Sequence, residues 1–380
     1  MKNSTLQPHP KAVDSDLVEQ ARPGHGIPSQ DVNLAAQFAL TAEEAEREGN
    51  SVMTGGGMVG GAAIGAGIGV AVGGPVGVVV GGTLGAIAGA LGGAAAGGMA
   101  NMEALTTSDV VPAQHVRLHI EDSGGSGRPV VLIHGWPLSA QAWKPQISAL
   151  REAGYRVVAY DRRGFGSSDK PESDYSYDTL SDDLQHVMDQ CNLQGVTLVG
   201  FSMGGGEVAR YIARHGESRV HSVVFAAAVT PYLMKTTDNL QGPLTPEKAR
   251  EKSAAFERDR SAYFDEFTKA FFSVDGVLQV TESQRREAIA LCEQSAQHAA
   301  LACMDSFATT DFREDLKRLT VPVLVIHGGS DAIVPFEGSG QLTHRAVLHS
   351  KLVKVDGAPH GLNLSHASAF NEALLSFLRK

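Results

Sequence analysis

From His115 onward, short apolar runs alternate with stretches whose apolar residues recur at helical spacing. The runs predict strands at Val116–Glu121, Val130–His134, Arg156–Tyr160, Val196–Gly200, Ser222–Ala226, Pro322–Ile326 and Lys351–Val355. Helices are predicted near 139–153, 178–192, 203–215, 338–347 and 366–379. Runs with no polar alternation suit strands buried on both faces, and strands that take turns with helices suit a mostly parallel, doubly wound α/β sheet. The interval 231–318 breaks the alternation. It is charged, aromatic and helical in pattern, and reads as a helical cap inserted between two sheet strands.

The front of the chain follows another rule. Residues 1–30 carry several prolines and glycines among polar residues and read as a disordered lead; a short amphipathic helix follows up to Gly49-Asn50. Residues 49–102 then contain no Asp, Glu, Lys, Arg or His. Glycine holds every fourth position from Gly57 through Gly61, Gly65 and onward to Gly97. That spacing lays glycine along one stripe of a helix, where a second backbone can approach closely. Gly73-Gly74-Pro75 interrupts the run, because proline lacks a backbone donor. The expectation is a glycine-rich helical hairpin over 51–102, with halves at 52–73 and 76–100, joined by a linker at 103–114. Each half is near the about 20 residues that cross a bilayer. A membrane contact through 52–100 and a soluble hairpin that drives homo-oligomer formation both fit the pattern.

The candidate chemistry sits between a strand and a helix. Gly200-Phe201-Ser202-Met203-Gly204 follows the apolar run Val196–Val199 and precedes a helical stretch. Strand, G-x-S-x-G, helix is the context of a nucleophile elbow, in which a tight turn holds the serine exposed above the sheet edge. A serine hydroxyl needs a base, and the base needs an orienting acid. Asp331 follows the strand Pro322–Ile326 and His360 follows the strand Lys351–Val355, so both stand at the sheet edge where Ser202 stands.

Other residues fit less well. Asp356 lies on the loop of His360; Asp305, Asp311 and Asp315 belong to the cap or its exit. His344, His349 and His366 read as surface residues near helices, and His134 and His327 as supports for neighbouring loops. An oxyanion hole needs two backbone donors, expected from Met203 and from the loop His134-Gly135-Trp136-Pro137. Pro137 has no N–H, which leaves Trp136, whose indole is also expected to line the pocket. Phe201 is assigned to substrate binding, and Phe264, Phe267, Phe271, Phe272 and Met234 are further candidates for an apolar acyl pocket. The charges of Asp161-Arg162-Arg163 read as structural, pinning a loop beside the site.

Residues 115–380 resemble the α/β-hydrolase superfamily, and within it the cofactor-free haloperoxidase or perhydrolase-arylesterase group. The resemblance rests on His134-Gly135-Trp136-Pro137-Leu138, Tyr160-Asp161-Arg162-Arg163-Gly164-Phe165-Gly166-Ser167-Ser168, the elbow with Gly205-Gly206-Glu207, Thr310–Leu316, Val334-Pro335-Phe336-Glu337 and Gly357-Ala358-Pro359-His360-Gly361. It implies hydrolysis of small esters through Ser202, His360 and Asp331 with no metal or haem. It also implies peracid formation from a carboxylic acid and peroxide, and Pro137 is similar to members that perhydrolyse appreciably. The front 110 residues are a departure from typical members.

Composition narrows the remaining choices. A formal charge of −10 with no basic cluster argues against nucleic acid. Cys191, Cys292 and Cys303 have no metal-ligand spacing and suggest reduced thiols. The polar N-terminus has no apolar core of a secretory signal, so a cytoplasmic or membrane-associated place is expected. The leading expectation is a serine carboxylesterase acting on a small ester or acyl substrate. The alternatives are a cofactor-free perhydrolase, and a membrane or assembly protein whose hairpin is the main functional part. Dehalogenases and epoxide hydrolases place a carboxylate at the elbow, which a serine argues against.

Overall fold

The computed structural model describes residues 116–379. The expected lead, amphipathic helix, glycine hairpin and linker lie outside them, and with them the proposed membrane contact and assembly role. No helix among the described residues is long and apolar enough to cross a membrane.

Seven strands form one sheet: β1 (Ile120–Asp122), β2 (Pro129–Ile133), β3 (Arg156–Tyr160), β4 (Val196–Phe201), β5 (Val220–Ala226), β8 (Val323–Gly328) and β9 (Lys351–Val355), in the spatial order β1-β3-β2-β4-β5-β8-β9. Only β1 runs antiparallel, against β3. All six residues of β4 are buried, as are the last four of β2 and of β3. Helices cover both faces, so these strands have no solvent side and their sequence shows no polar alternation. The helices outside the 231–318 interval are α1 (Lys144–Glu152), α2 (Tyr177–Gln190), α3 (Met203–His215), α9 (Gly340–Ala346), α10 (Leu362–Ser365) and α11 (Ala367–Leu378).

The topology places the site. The chain leaves β2 for β3 on one side and later returns to β4 on the other, so the loops after β2 and β4 diverge and leave a crevice at the C-terminal strand edge. The loops after β8 and β9 open on the same edge.

Between β5 and β8 lie α4 (Pro246–Arg258), α5 (Arg260–Phe272), α6 (Glu282–Glu293), α7 (Gln297–Thr309) and α8 (Arg313–Leu316). Their starts are written locally: the side chains of Thr245, Asp259 and Thr281 accept from backbone N–H groups of the first turn, and Thr281 with Gln284 forms a capping box. Helix α5 buries Phe264, Thr268, Phe271 and Phe272, one stripe at helical spacing.

Three local differences from the sequence reading have physical causes. The first expected strand shortens to β1, because the backbone at Arg117 and His119 bonds instead to Asp169, Ser168 and Asp161 of the loop after β3. The helix expected from 139 begins as a 3-10 turn at Ala140–Trp143, and α1 starts with Pro145 in its first turn, where a missing N–H costs nothing. The 231–318 interval, read as free of strands, holds a small hairpin, β6 (Ser273–Val274) with β7 (Val277–Leu278). Its turn, Asp275-Gly276, has positive φ at both residues (50° and 77°), as a two-residue hairpin turn requires.

Candidate active site

Ser202 ends β4 and begins α3 with φ 53° and ψ −117°, a conformation that costs a non-glycine residue energy. The neighbours hold it there. Ser202 N–H donates to Ala226 O (2.8 Å), and Ser202 O accepts from Gly205 N–H (3.0 Å) and Val229 N–H (3.2 Å). The turn closes only because two residues lack side chains. A Cβ at Gly200 would stand 2.4 Å from Gly204 O, and one at Gly204 would stand 2.5 Å from Ile133 O. Ser202 therefore sits at the first turn of α3, where unpaired helix N–H groups and the positive dipole end face the crevice.

The structure brings Ser202, His360 and Asp331 together. Ser202 Oγ lies 3.0 Å from His360 Nε2, and His360 Nδ1 lies 2.6 Å from Asp331 Oδ2. The imidazole is packed between Phe201 (ring centroids 5.2 Å apart) and Phe271 (5.0 Å). Its loop is pinned by Gly361 N–H donating to Phe271 O at 2.9 Å. Asp331 Oδ1 accepts from Ile333 N–H (2.9 Å) and Val334 N–H (2.8 Å). Burial alone would push the Asp331 carboxyl up. The charge of His360 and the hydrogen bonds from His327 and His360 outweigh it and hold the group well below the usual carboxylate range.

That depression fixes a sign. Stability contributed by the ionised Asp331 is fully present above the unfolded carboxylate value of about 3.9 and drains away as pH falls toward the folded one. The wild type should therefore lose part of its advantage over Asp331→Asn as unfolding is measured from pH 7 down to pH 3. An advantage that stays constant over that window would contradict the depressed value.

Most of the rival acids and histidines are engaged elsewhere. Asp356 is exposed and 3.8 Å from Lys354; Asp311 pairs with Arg313 and Asp315 with Arg210. Asp305 is an exposed residue of the cavity wall. His344, His349 and His366 bond to Ser350, Val321 and Ser365.

Above Ser202 and His360 opens a cavity of about 540 Å³, within the range of small-molecule pockets. Its apolar wall includes Trp136, Leu233, Met234, Phe267, Phe307 and Val334. Phe201 is a correction. It was expected to bind substrate, but it is 1% exposed, its ring packs against Trp143, Phe271 and His360, and it does not line the cavity. Phe264, Phe271 and Phe272 are buried in the core between α5 and its neighbours, while Phe267 and Met234 do face the cavity.

Trp136 is buried and joins two parts of the fold. Its indole Nε1–H donates to Ala300 O of α7 (3.0 Å), and its ring meets Phe256, Phe267 and Phe307. Under the same loop lies a buried charged cluster. Arg162 Nε donates to Glu207 Oε2 (2.8 Å), Arg162 Nη2 donates to His134 O (2.9 Å), and Tyr160 donates to the other oxygen of Glu207. Arg162 N–H donates to His134 Nε2 (3.0 Å), while burial and then the Arg162 charge push the His134 imidazole well below its usual value. His134, in the loop after β2, and helix α3 are thus tied through one guanidinium.

The sequence reading missed a second imidazole at the carboxylate. His327 Nε2 lies 3.2 Å from Asp331 Oδ2 and 2.8 Å from Val334 O, with the ring wholly buried. The only signal was its place at the end of β8, four residues before Asp331.

A family described as alpha/beta hydrolase fold matches residues 128–367. The chain belongs to this family. It falls in the family's non-heme haloperoxidase group. It is 41% identical over 266 residues to a putative non-heme chloroperoxidase of Synechocystis sp., covering 70% of this chain and 95% of that one. It is 35% identical over 285 residues to a bifunctional esterase/perhydrolase of Acinetobacter calcoaceticus, covering 73% of this chain and all of that one. Among solved structures, a bromoperoxidase from Bacillus anthracis is similar with a TM-score of 0.68 and 51% identity, over 70% of this chain and 96% of that one. Among the described residues no group of three or more His, Cys, Asp or Glu could hold a metal ion.

Proposed function

We propose that this hydrolase is a serine carboxylesterase that works through an acyl-enzyme. The observation that carries the reading is the unbroken hydrogen-bond chain Ser202–His360–Asp331 on the floor of an apolar cavity. Ser202 Oγ attacks the ester carbonyl while His360 Nε2 takes its proton. Asp331 holds the imidazole in the tautomer with hydrogen on Nδ1 and stabilises the imidazolium as it forms. The developing oxyanion is held by the backbone N–H groups of Trp136 and Met203. His360 then gives its proton to the departing alcohol, and water, deprotonated by His360, releases the acid and regenerates Ser202.

The same acyl-enzyme accepts hydrogen peroxide in place of water, which releases a peracid. The relatives named for perhydrolase and haloperoxidase activity favour this second reading, as does Pro137 after Trp136. A short-chain aryl ester turned over in water and in graded peroxide tests both. Alcohol release should begin with a burst of about one equivalent per active site when deacylation is slow. Peroxide should divert acid to peracid in proportion to its concentration. An ester-inert enzyme would overturn the first reading, and acid alone at every peroxide level the second.

A further inference from the structure

We infer that Lys248 and Lys252 form an anion-reading pair on the cavity wall, and that the ester this enzyme takes carries a carboxylate remote from the bond that is cleaved. This rests on the esterase reading of Ser202, His360 and Asp331.

Both lysines lie on α4, and both line the cavity that opens above Ser202 and His360. Their spacing of four residues puts them on one face of the helix, one above the other. Neither place suits the helix itself. Lys248 is in the first turn, after the N-cap Thr245, where the helix dipole disfavours a cation. Like charges four residues apart also repel each other. Nothing among the described residues offsets this, because neither ammonium enters a salt bridge or a hydrogen bond there. Partial loss of water and then the Lys248 charge lower the Lys252 ammonium from its ordinary value.

The other charges on the wall do not cancel the pair. Arg250 bonds Glu247 (3.3 Å). Glu257 lies five residues past Lys252, about 140° further round the helix. Asp305 is an exposed residue of α7, and neither carboxylate pairs with either lysine. An anion held by both ammoniums receives charge-assisted hydrogen bonds and removes their mutual repulsion. Elsewhere the wall is apolar, with Leu233, Met234, Phe267 and Phe307. One kind of molecule suits all three parts: an ester at Ser202, a hydrocarbon spacer against the apolar wall, and a carboxylate at the lysines. Hydrolysis adds water across the ester bond and releases an acid and an alcohol, one of which keeps the remote carboxylate unchanged.

The test measures kcat/KM on matched esters that differ in the remote group. Monoethyl adipate against diethyl adipate puts the carboxylate on the acyl side, and 4-acetoxybenzoate against its methyl ester puts it on the alcohol side. The anionic-to-neutral ratio of the wild type, divided by that of the double variant Lys248→Gln with Lys252→Gln, cancels intrinsic reactivity. That quotient should be about fivefold or more in at least one series, and should fall toward one as salt is raised. Lys248→Arg with Lys252→Arg keeps both charges and should retain most of the wild-type ratio. A quotient near one in both series overturns the inference, whether the rates of the double variant hold or fall together. The two levels separate cleanly. If the wild type cleaves the neutral esters, Ser202→Ala is inert and the quotient is near one, only the role of the lysines falls. If the wild type cleaves none of these esters, the esterase reading falls and the lysine pair with it.

Discussion

Ser202→Ala should lower kcat/KM for ester hydrolysis by at least about a thousandfold and by up to about a millionfold. Among the described residues no second hydroxyl bonds His360 Nε2 to replace Oγ. It is the group 3.0 Å from His360 Nε2, and the imidazole is fixed by Phe201, Phe271 and Asp331. The residue that remains would come from oxyanion donors and binding alone. Alanine keeps the same Cβ at φ 53°, so the backbone strain is unchanged and the fold should lose only about 1 kcal/mol or less. Thermal unfolding of the variant checks that the loss is chemical. Activity within tenfold of wild type, in protein free of other esterases, would leave the acyl-enzyme mechanism without its nucleophile.

Glu207→Ala is the second large effect, and it falls on stability. Glu207 and Arg162 are both 0% exposed, and Glu207 takes donors from Arg162 and Tyr160. Removing the carboxylate leaves a guanidinium in the interior with the His134 carbonyl among its few acceptors. Losing one member of such a pair costs about 3–5 kcal/mol. Chemical denaturation should show that drop as a lower midpoint with an unchanged slope. Glu207→Gln keeps the volume and one acceptor and should cost less. A drop within about 1 kcal/mol for the alanine variant would mean that solvent reaches Arg162 or that another group compensates. Because Arg162 also bonds the backbone of the loop carrying Trp136, the alanine variant should lose activity at temperatures where it is still folded.

The sheet was legible because its central strands are buried on both faces. Val130–Ile133 is wholly apolar, Val196–Val199 is broken only by Thr197, whose buried hydroxyl pairs with that of Ser222, and β3 and β9 take the bounds that the sequence predicts. The elbow was legible because glycine and serine at that spacing have a steric meaning, and Asp331 and His360 because each comes just past a strand's end. What failed to show was orientation and long-range pairing. Phe201 is the last residue of β4, and the sequence does not say whether a ring there faces a pocket or the back of an imidazole. The Arg162–Glu207 pair spans 45 positions, so only the fold reveals it. The Val274–Val277 hairpin has strands of two residues, too short for any alternation to register. His327 was read as a loop support, which its bond to Val334 O is, but its approach to Asp331 depends on how the intervening loop curls.

The bond from the Trp136 indole to Ala300 O has a consequence for how such enzymes diverge. The helices between β5 and β8 fall in sequence between two strands that pair directly in the sheet. Yet they are tied to the cavity wall by an indole whose backbone sits in the loop after β2. A replacement for these helices must bring a carbonyl to the place of Ala300 O, or it leaves the Trp136 indole N–H buried without an acceptor. Exchanging these helices should therefore change substrate range and turnover together.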